Sequence, residues 1–235
     1  MPHRWCNSAQ IRKEQIESGL DLTFNEVFKP LLINQIKILS PAEILEVGAG
    51  TGHLSKELFT IGLSVTAIEP SLGMYNVAKD VLSDTNIRLF NCTSFDLKRD
   101  KVYELAFSHL VAHVVDDIFS FFESIKVHLK KGASFIFSIP HPCFYNSYKG
   151  FFGNEYNYIT PITKNVSFKI TKDQENTIYD VPYHHRPLSD YFNKLIESGF
   201  IIERFDEIYP NDDIQEKYGA RWEFPRYCLF TCRKT

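Results

Sequence analysis

Between residues 43 and 139 the chain alternates short apolar runs with amphipathic stretches, and few folds accept that order. EILEV (43–47), SVTAI (64–68), NIRLF (86–90), YELAFSHL (103–110) and ASFIFSI (133–139) read as strands. Residues 51–61, 71–83 and 116–130 read as the helices between them. In the last of these, Ile118, Phe121, Phe122, Ile125 and Leu129 make one apolar face, and Lys130, Lys131 and Gly132 read as a C-terminal signal. Such alternation builds a parallel sheet with helices on both faces. The strands are largely apolar on both sides, as burial between two helical layers requires.

The flanks depart from this pattern. Residues 8–19 and 21–39 read as two helices, with Pro30 kinking or breaking the second. Asp21, just after Gly19, suits a helix cap better than a ligand contact. Residues 140–184 are aromatic and turn-rich, with one strand, VSFKI, followed by a loop. Seven aromatics between Phe144 and Tyr158 argue against disorder there. The segment reads as an insertion over the carboxyl edge of the sheet. A helix (187–199) and two strands, FIIERFDEIYP and RYCLFTCRK, close the chain and could pair antiparallel.

The 235 residues, 44% of them hydrophobic, can bury the core of one large domain or of a domain with an insertion. The expectation is a single domain over 1–235. It divides into a helical cap (1–40), a cofactor-binding core (41–139), a lid (140–186) and a C-terminal helix with a strand pair (187–235). The net charge of −3 and the dispersed lysines and arginines disfavour nucleic acid as a partner. No apolar run approaches the ~20 residues of a membrane span, and the first residues lack the apolar stretch of a signal peptide. The five scattered cysteines include no CxxC and read as reduced, buried thiols, with no metal site. A cytoplasmic protein, monomeric or homodimeric, is expected.

The glycine stretch within ILEVGAGTGHLS (44–55) carries the functional signal. Ligands of open α/β sheets bind beyond the carboxyl ends of the strands. There, glycines let the backbone turn sharply and admit a ligand at close range. Glu69, which closes the second strand 21 residues after Gly48, can accept both hydroxyl protons of a ribose. A nucleoside-bearing cofactor follows. The dinucleotide pattern GxGxxG would place its third glycine where His53 stands. Glu46, two residues before the first glycine, would oppose a pyrophosphate and suits a cationic ligand instead.

EVGAGTG and AIEPS resemble motifs one and two of the class I S-adenosylmethionine-dependent methyltransferases. FNCTSFDL (90–97), YELAFSHLVAHVVDD (103–117) and the two closing strands are similar to later parts of that family. RWCNSAQIRKEQIESGLDL, FSIPHPCF and HHRPLSDYFNKLIESGF resemble a subgroup of small bacterial enzymes that act mostly on small molecules. The resemblance implies a Rossmann-like, doubly wound, seven-stranded sheet, mostly parallel with an antiparallel C-terminal strand. It implies S-adenosyl-L-methionine as cofactor and S-adenosyl-L-homocysteine as product. It places Gly48, Ala49, Gly50, Leu54, Pro70 and Met74 along the cofactor, Glu46 near its amino group and Glu69 on its ribose. Cys92, Thr93 and Ser94 would flank adenine, where many relatives carry an aspartate. Ser108 and His109 would meet the methionine half, and Trp5 and Arg12 lie on the segment that closes over it.

Methyl transfer from a sulfonium needs alignment and exclusion of water, and a base only if the acceptor must lose a proton. The candidates are His141, directly after the fifth strand, and His185 with Arg186 before the helix at 187. A histidine could take a proton and an arginine could hold an anionic group. The same pair could equally brace the lid. His113 suits a structural contact in its turn. Tyr145, Tyr148, Phe151, Phe152, Tyr156 and Tyr158 could line an aromatic pocket or simply pack the lid. The expected function is methyl transfer to an O or N atom of a small molecule, preferably a specialised metabolite. The alternatives are a non-catalytic S-adenosylmethionine-binding protein, a nicotinamide-dependent oxidoreductase, and a methyltransferase of RNA or protein.

Overall fold

The structure is a computed structural model that describes residues 5–144, 148–219 and 221–235. In chain order the elements begin with α1 (Ala9–Glu17), α2 (Lys29–Leu39), β1 (Glu43–Val47), α3 (His53–Thr60), β2 (Ser64–Ile68), α4 (Leu72–Val81) and β3 (Arg88–Phe90). There follow β4 (Tyr103–His109), α5 (Ile118–Lys126), β5 (Leu129–Pro140), α6 (Tyr148–Phe152), β6 (Ile162–Ile170) and β7 (Asp173–His185). The chain closes with α7 (Leu188–Glu197), β8 (Phe200–Ile208), α8 (Asp212–Tyr218) and β9 (Tyr227–Lys234).

Seven strands form one sheet in the order β3-β2-β1-β4-β5-β9-β8. β1 to β5 run parallel, and β9 is antiparallel to both neighbours. Side chains alternate between two buried faces, as the two-residue period of a strand requires. Leu45, Val47, Ala106, Phe135 and Phe137 meet Phe121 and Phe122 of α5 and Tyr191 and Leu195 of α7. Ile44, Leu105, Phe107 and Ile136 meet Leu32 and Ile36 of α2 and Leu54 and Leu58 of α3. The polar side chain of Glu46 falls on the second face and is nonetheless buried.

Four details differ from the sequence reading. Pro30 does not break its helix. Residues 23–28 form a wide π-helical turn, and Pro30 sits in the first turn of α2, where a missing N–H costs little. Asp21 does cap this segment, accepting the Phe24 N–H at 2.9 Å. Helix α5 stops at Lys126, and Lys130–Gly132 belong to β5. There the register jumps from Tyr103↔Leu129 to Leu105↔Ser134. Residues 173–185 are a strand rather than a loop, pairing with β6 in a separate two-stranded sheet. Its alternation is broken by Asp180 at positive φ, and Pro182 lies within it. Finally, α8 lies in the stretch before β9, capped by Asn211, whose side chain accepts the Ile214 N–H at 3.0 Å.

The β6–β7 hairpin encloses a small core of Phe152, Val166, Ile178, Val181 and Tyr183. It is tied at both ends. Asp173 accepts from Gln15 of α1 at 2.9 Å, and Arg186 donates through Nη2 to the Val115 carbonyl at 2.6 Å and to that of Asp116. The hairpin therefore spans from the turn after β4 to the N-terminal helix. No helix among the described residues is long and apolar enough to cross a membrane.

Candidate active site

The turn after β1 hangs from the end of β2. The N–H groups of Gly48 and Ala49 donate to the Ile68 carbonyl at 2.9 and 3.0 Å, and that of Gly50 donates to Glu69 Oε2 at 2.8 Å. The other carboxyl oxygen of Glu69 accepts the Ser71 N–H at 2.7 Å. Glu69 is thus a fixed post between the glycine turn and the start of α4. Burial pushes its carboxyl up to about 7, against the pull of those two N–H groups.

Glu46 is the second buried carboxyl. The Ser55 hydroxyl, in the first turn of α3, donates to it. Burial pushes its carboxyl up to about 8, and the neighbouring Glu69 adds to the rise. Gly48 and Gly50 both have positive φ. A Cβ on Gly48 would lie 2.5 Å from Val111 Cγ2, so the turn packs directly on the segment after β4. A Cβ on Gly50 would meet nothing within 4 Å, which leaves that side of the turn open to a ligand. The 3-10 turn Cys6–Ser8 crosses the start of α4. Cys6 Sγ accepts the Gly73 N–H at 3.2 Å, and a Gly73 Cβ would lie 2.4 Å from Cys6 Cα.

The carboxyl end of β4 continues this surface. Ser108 donates to the Val47 carbonyl at 2.9 Å, just before the glycines. His109 Nδ1 lies 2.7 Å from Ser138 Oγ, and its ring packs on Phe28 with centroids 4.4 Å apart. Burial lowers His109 to about 4; nearby Asp21 opposes the shift and Arg12 adds to it. Burial lowers His113 to about 3, with His109, His184 and Arg186 adding to the shift. The His113 ring sits 5.0 Å from that of Tyr183 on the hairpin. Both histidines are neutral near pH 7.

The comparisons with known proteins agree with this geometry. Residues 45–137 match a family described as a methyltransferase domain. The chain is similar to the uncharacterised methyltransferase YrrT of Bacillus subtilis, at 38% identity over 72 residues. That match covers 30% of this chain and 34% of YrrT. The fold is similar to that of an S-adenosylmethionine-dependent methyltransferase from Clostridium acetobutylicum, at a TM-score of 0.65 and 17% identity, over 96% of this chain and 97% of that one. It is also similar to a Burkholderia thailandensis 1,6-didemethyltoxoflavin-N1-methyltransferase, whose structure holds 1,6-didemethyltoxoflavin and S-adenosylhomocysteine. The TM-score is 0.63 at 15% identity, over 100% of this chain and 91% of that one. The chain spans 34–58% of the length of the first four curated relatives it matches.

Within this methyltransferase domain, Glu46, Gly48, Ala49, Gly50, Glu69 and Pro70 converge at the ends of β1 and β2. The other residues expected along the cofactor make the following contacts. Leu54 points into the core with Leu58 and Phe107. Met74 is buried in the first turn of α4, its N–H on the Ser71 cap at 3.4 Å. The Ser94 hydroxyl pairs with Ser124 at 2.6 Å and its carbonyl accepts from His128 at 2.9 Å, so its polar groups face α5. The Thr93 hydroxyl donates to Asp96 at 2.6 Å. Half-buried Cys92 has its thiol raised above the ordinary value by burial and by Asp96. Asn91 instead donates to the Glu69 and Pro70 carbonyls at 2.8 and 3.2 Å, bracing the end of β2. Arg12 is paired with Asp21 and with Gln15. Trp5 packs on the hairpin core.

The catalytic candidates also turn inward. His141 Nδ1 accepts the Cys143 N–H at 3.2 Å, which leaves Nε2 as the donor to Glu207 at 3.0 Å. Both ring nitrogens of His141 are thus engaged within the protein. His185 Nε2 binds the Tyr158 carbonyl at 3.0 Å among Phe152, Tyr156 and Tyr158. Phe151 and Phe152 join Tyr183. Tyr145 lies outside the described residues, as does the side chain of Tyr148. Sequence reasoning missed Ser55, Ser71, Cys6 and Val111. Ser55 stands nine residues after Glu46, where a strand leads through a turn into a helix, and that spacing was the available signal.

Proposed function

We propose that the protein transfers a methyl group from S-adenosyl-L-methionine to an O or N atom of a small-molecule acceptor, a specialised metabolite. The observation that carries this reading is the pair of buried carboxyls at the glycine turn, with Glu69 held by the Gly50 and Ser71 N–H groups. The residues present fit such a cofactor. Glu69 keeps lone pairs for a ribose diol, Glu46 faces the place for an ammonium group, and the open side of Gly50 forms the cradle. Backbone groups at Cys92 and Thr93 would flank adenine. A buried acidic pair beside the turn opposes a pyrophosphate, which weighs against a nicotinamide cofactor.

S-adenosyl-L-methionine supplies, when bound, a methyl group on an already activated sulfonium. The chain's own task is to align an acceptor and exclude water. In this reading the β6–β7 hairpin and α6 act as the lid, with His185 and Arg186 as positioning residues that hold it to the turn after β4. Neutral His109 and His113 are suited to hydrogen-bonding the acceptor. The domain division into cap, core, lid and C-terminal strand pair is part of the same proposal.

Calorimetric titration with S-adenosylhomocysteine, with NADH as comparison, tests the reading. Micromolar binding of S-adenosylhomocysteine alone is the expected result, and binding of NADH alone would overturn it. A turnover assay for S-adenosylhomocysteine production then separates an enzyme from a protein that only binds the cofactor.

A further inference from the structure

The far side of the same sheet edge holds an arginine with no anionic partner among the described residues. Tyr227 opens β9 opposite Pro140, which closes β5, so residues 222–227 lie beyond the carboxyl ends of the parallel strands. There the Arg226 guanidinium lies over the Trp222 ring, 4.5 Å from its centroid. Arg226 Nε is buried without an acceptor, and so is Trp222 Nε1, in a residue only 2% exposed. No carboxylate pairs with Arg226 among the described residues, although an arginine carries five donors and a permanent charge.

The surroundings fix this pair without quenching it. The Trp222 N–H donates to Gln215 Oε1 at 2.8 Å, Gln215 in turn donates to the Pro210 carbonyl at 2.9 Å, and Tyr209 donates to the Trp222 carbonyl. The Arg226 carbonyl accepts the His141 N–H at 2.8 Å. The backbone is therefore held at both residues, while the two side-chain donors are left for something else. Rings connect the pair to the methyl-transfer side. Trp222 packs on Tyr227 at 6.0 Å, Tyr227 on Phe28 at 5.1 Å, and Phe28 on His109 at 4.4 Å.

We propose that Trp222 and Arg226 form the anion-recognising end of the acceptor site, and that the acceptor is a planar small molecule bearing a carboxylate. The inference rests on the methyl-transfer reading for the word acceptor, but the anion site itself does not. A planar carboxylate presents two oxygens, and each N–H can take one. The rings leading back to His109 would set the distance from that carboxylate to the atom that receives the methyl group.

Benzoate, benzamide and phenyl phosphate are the probes, titrated calorimetrically into the full chain with and without S-adenosylhomocysteine. Benzoate should bind at least tenfold more tightly than benzamide. Arg226→Gln should erase that preference, and Arg226→Lys should retain part of it. Trp222→Phe, which keeps the ring and removes the N–H, should weaken benzoate alone. The S-adenosylhomocysteine affinity and the melting temperature of Arg226→Lys should stay at wild-type values. Equal binding of acid and amide, no saturable binding of either, or a preference that survives Arg226→Gln would overturn the proposal. Tighter binding of phenyl phosphate would overturn the carboxylate in favour of a phosphate. If the acid preference holds while S-adenosylhomocysteine fails to bind, the anion site stands and the methyl-transfer reading falls.

Discussion

Glu46 and Glu69 are buried carboxyls whose acidity is lowered by the same burial that makes them useful to a cation. Glu46, at about 8 in the folded chain, stands above its unfolded value near 4.5. The folded state thus holds a proton that the unfolded state releases, and stability falls as pH rises from the unfolded value to the folded one. Each unit of that difference corresponds to about 1.4 kcal/mol. The melting temperature should accordingly drop between pH 5 and pH 8, and Glu46→Gln should flatten the profile. A profile as steep in the variant as in the wild type would place the proton elsewhere. Glu69→Ala should weaken S-adenosylhomocysteine binding by about 1–3 kcal/mol, the range for hydrogen bonds to a charged group. The loss includes the Gly50 and Ser71 N–H groups that it organises. Unchanged affinity in calorimetry would remove Glu69 from the ribose site.

The glycine turn and the segment after β4 form one packed unit, and its tightest point is Gly48 against Val111. Gly48→Ala combines a clash with a left-handed backbone that costs an L-residue about 1–2 kcal/mol. It should lower both stability and cofactor affinity. Adding Val111→Ala should recover the part due to the clash and leave the backbone part, which a double-mutant cycle reads directly. On the hairpin, His185→Ala removes a contact to Tyr158 and to three rings. Turnover should fall several-fold while S-adenosylhomocysteine affinity changes less than twofold; an equal fall in both would make His185 a general brace of the fold. The core strands were legible because both faces of the sheet are buried, so EILEV and SVTAI are short, mostly apolar runs buried beyond their first residue. β7 was not, because DQENTIYDVPYHH covers a small core of its own and carries Asp180 and Pro182 where regular alternation would need apolar residues. Glu46 and Glu69 were singled out by their places before the glycine turn and at the end of β2, and the structure brings the two to one turn. The inward turn of Ser94 and His141 was not legible, because it depends on partners, Ser124 and Glu207, that lie 30 and 66 residues away.

Across the whole molecule, the sheet supplies an edge to which the flanking segments are attached. The N-terminal turn crosses the start of α4, the hairpin bridges from α1 to the turn after β4, and Tyr218 of α8 packs on Trp222, which meets Tyr227 and through it Phe28. Replacing residues 162–185 by a short linker should therefore leave S-adenosylhomocysteine binding within a few-fold of wild type, lower the melting temperature and abolish turnover. Full activity in that variant would end the reading of the hairpin as a lid. The hairpin also begins and ends in register, with Ile162 opposite His185. Paired strands lie about 5 Å apart, so the segment leaves the rest of the chain and rejoins it at nearly one point. A module with coincident ends can be exchanged for another of different length or chemistry without moving the strands that carry Glu46 and Glu69. Acceptor preference in a chain built this way can diverge by cassette replacement while the donor site is inherited intact.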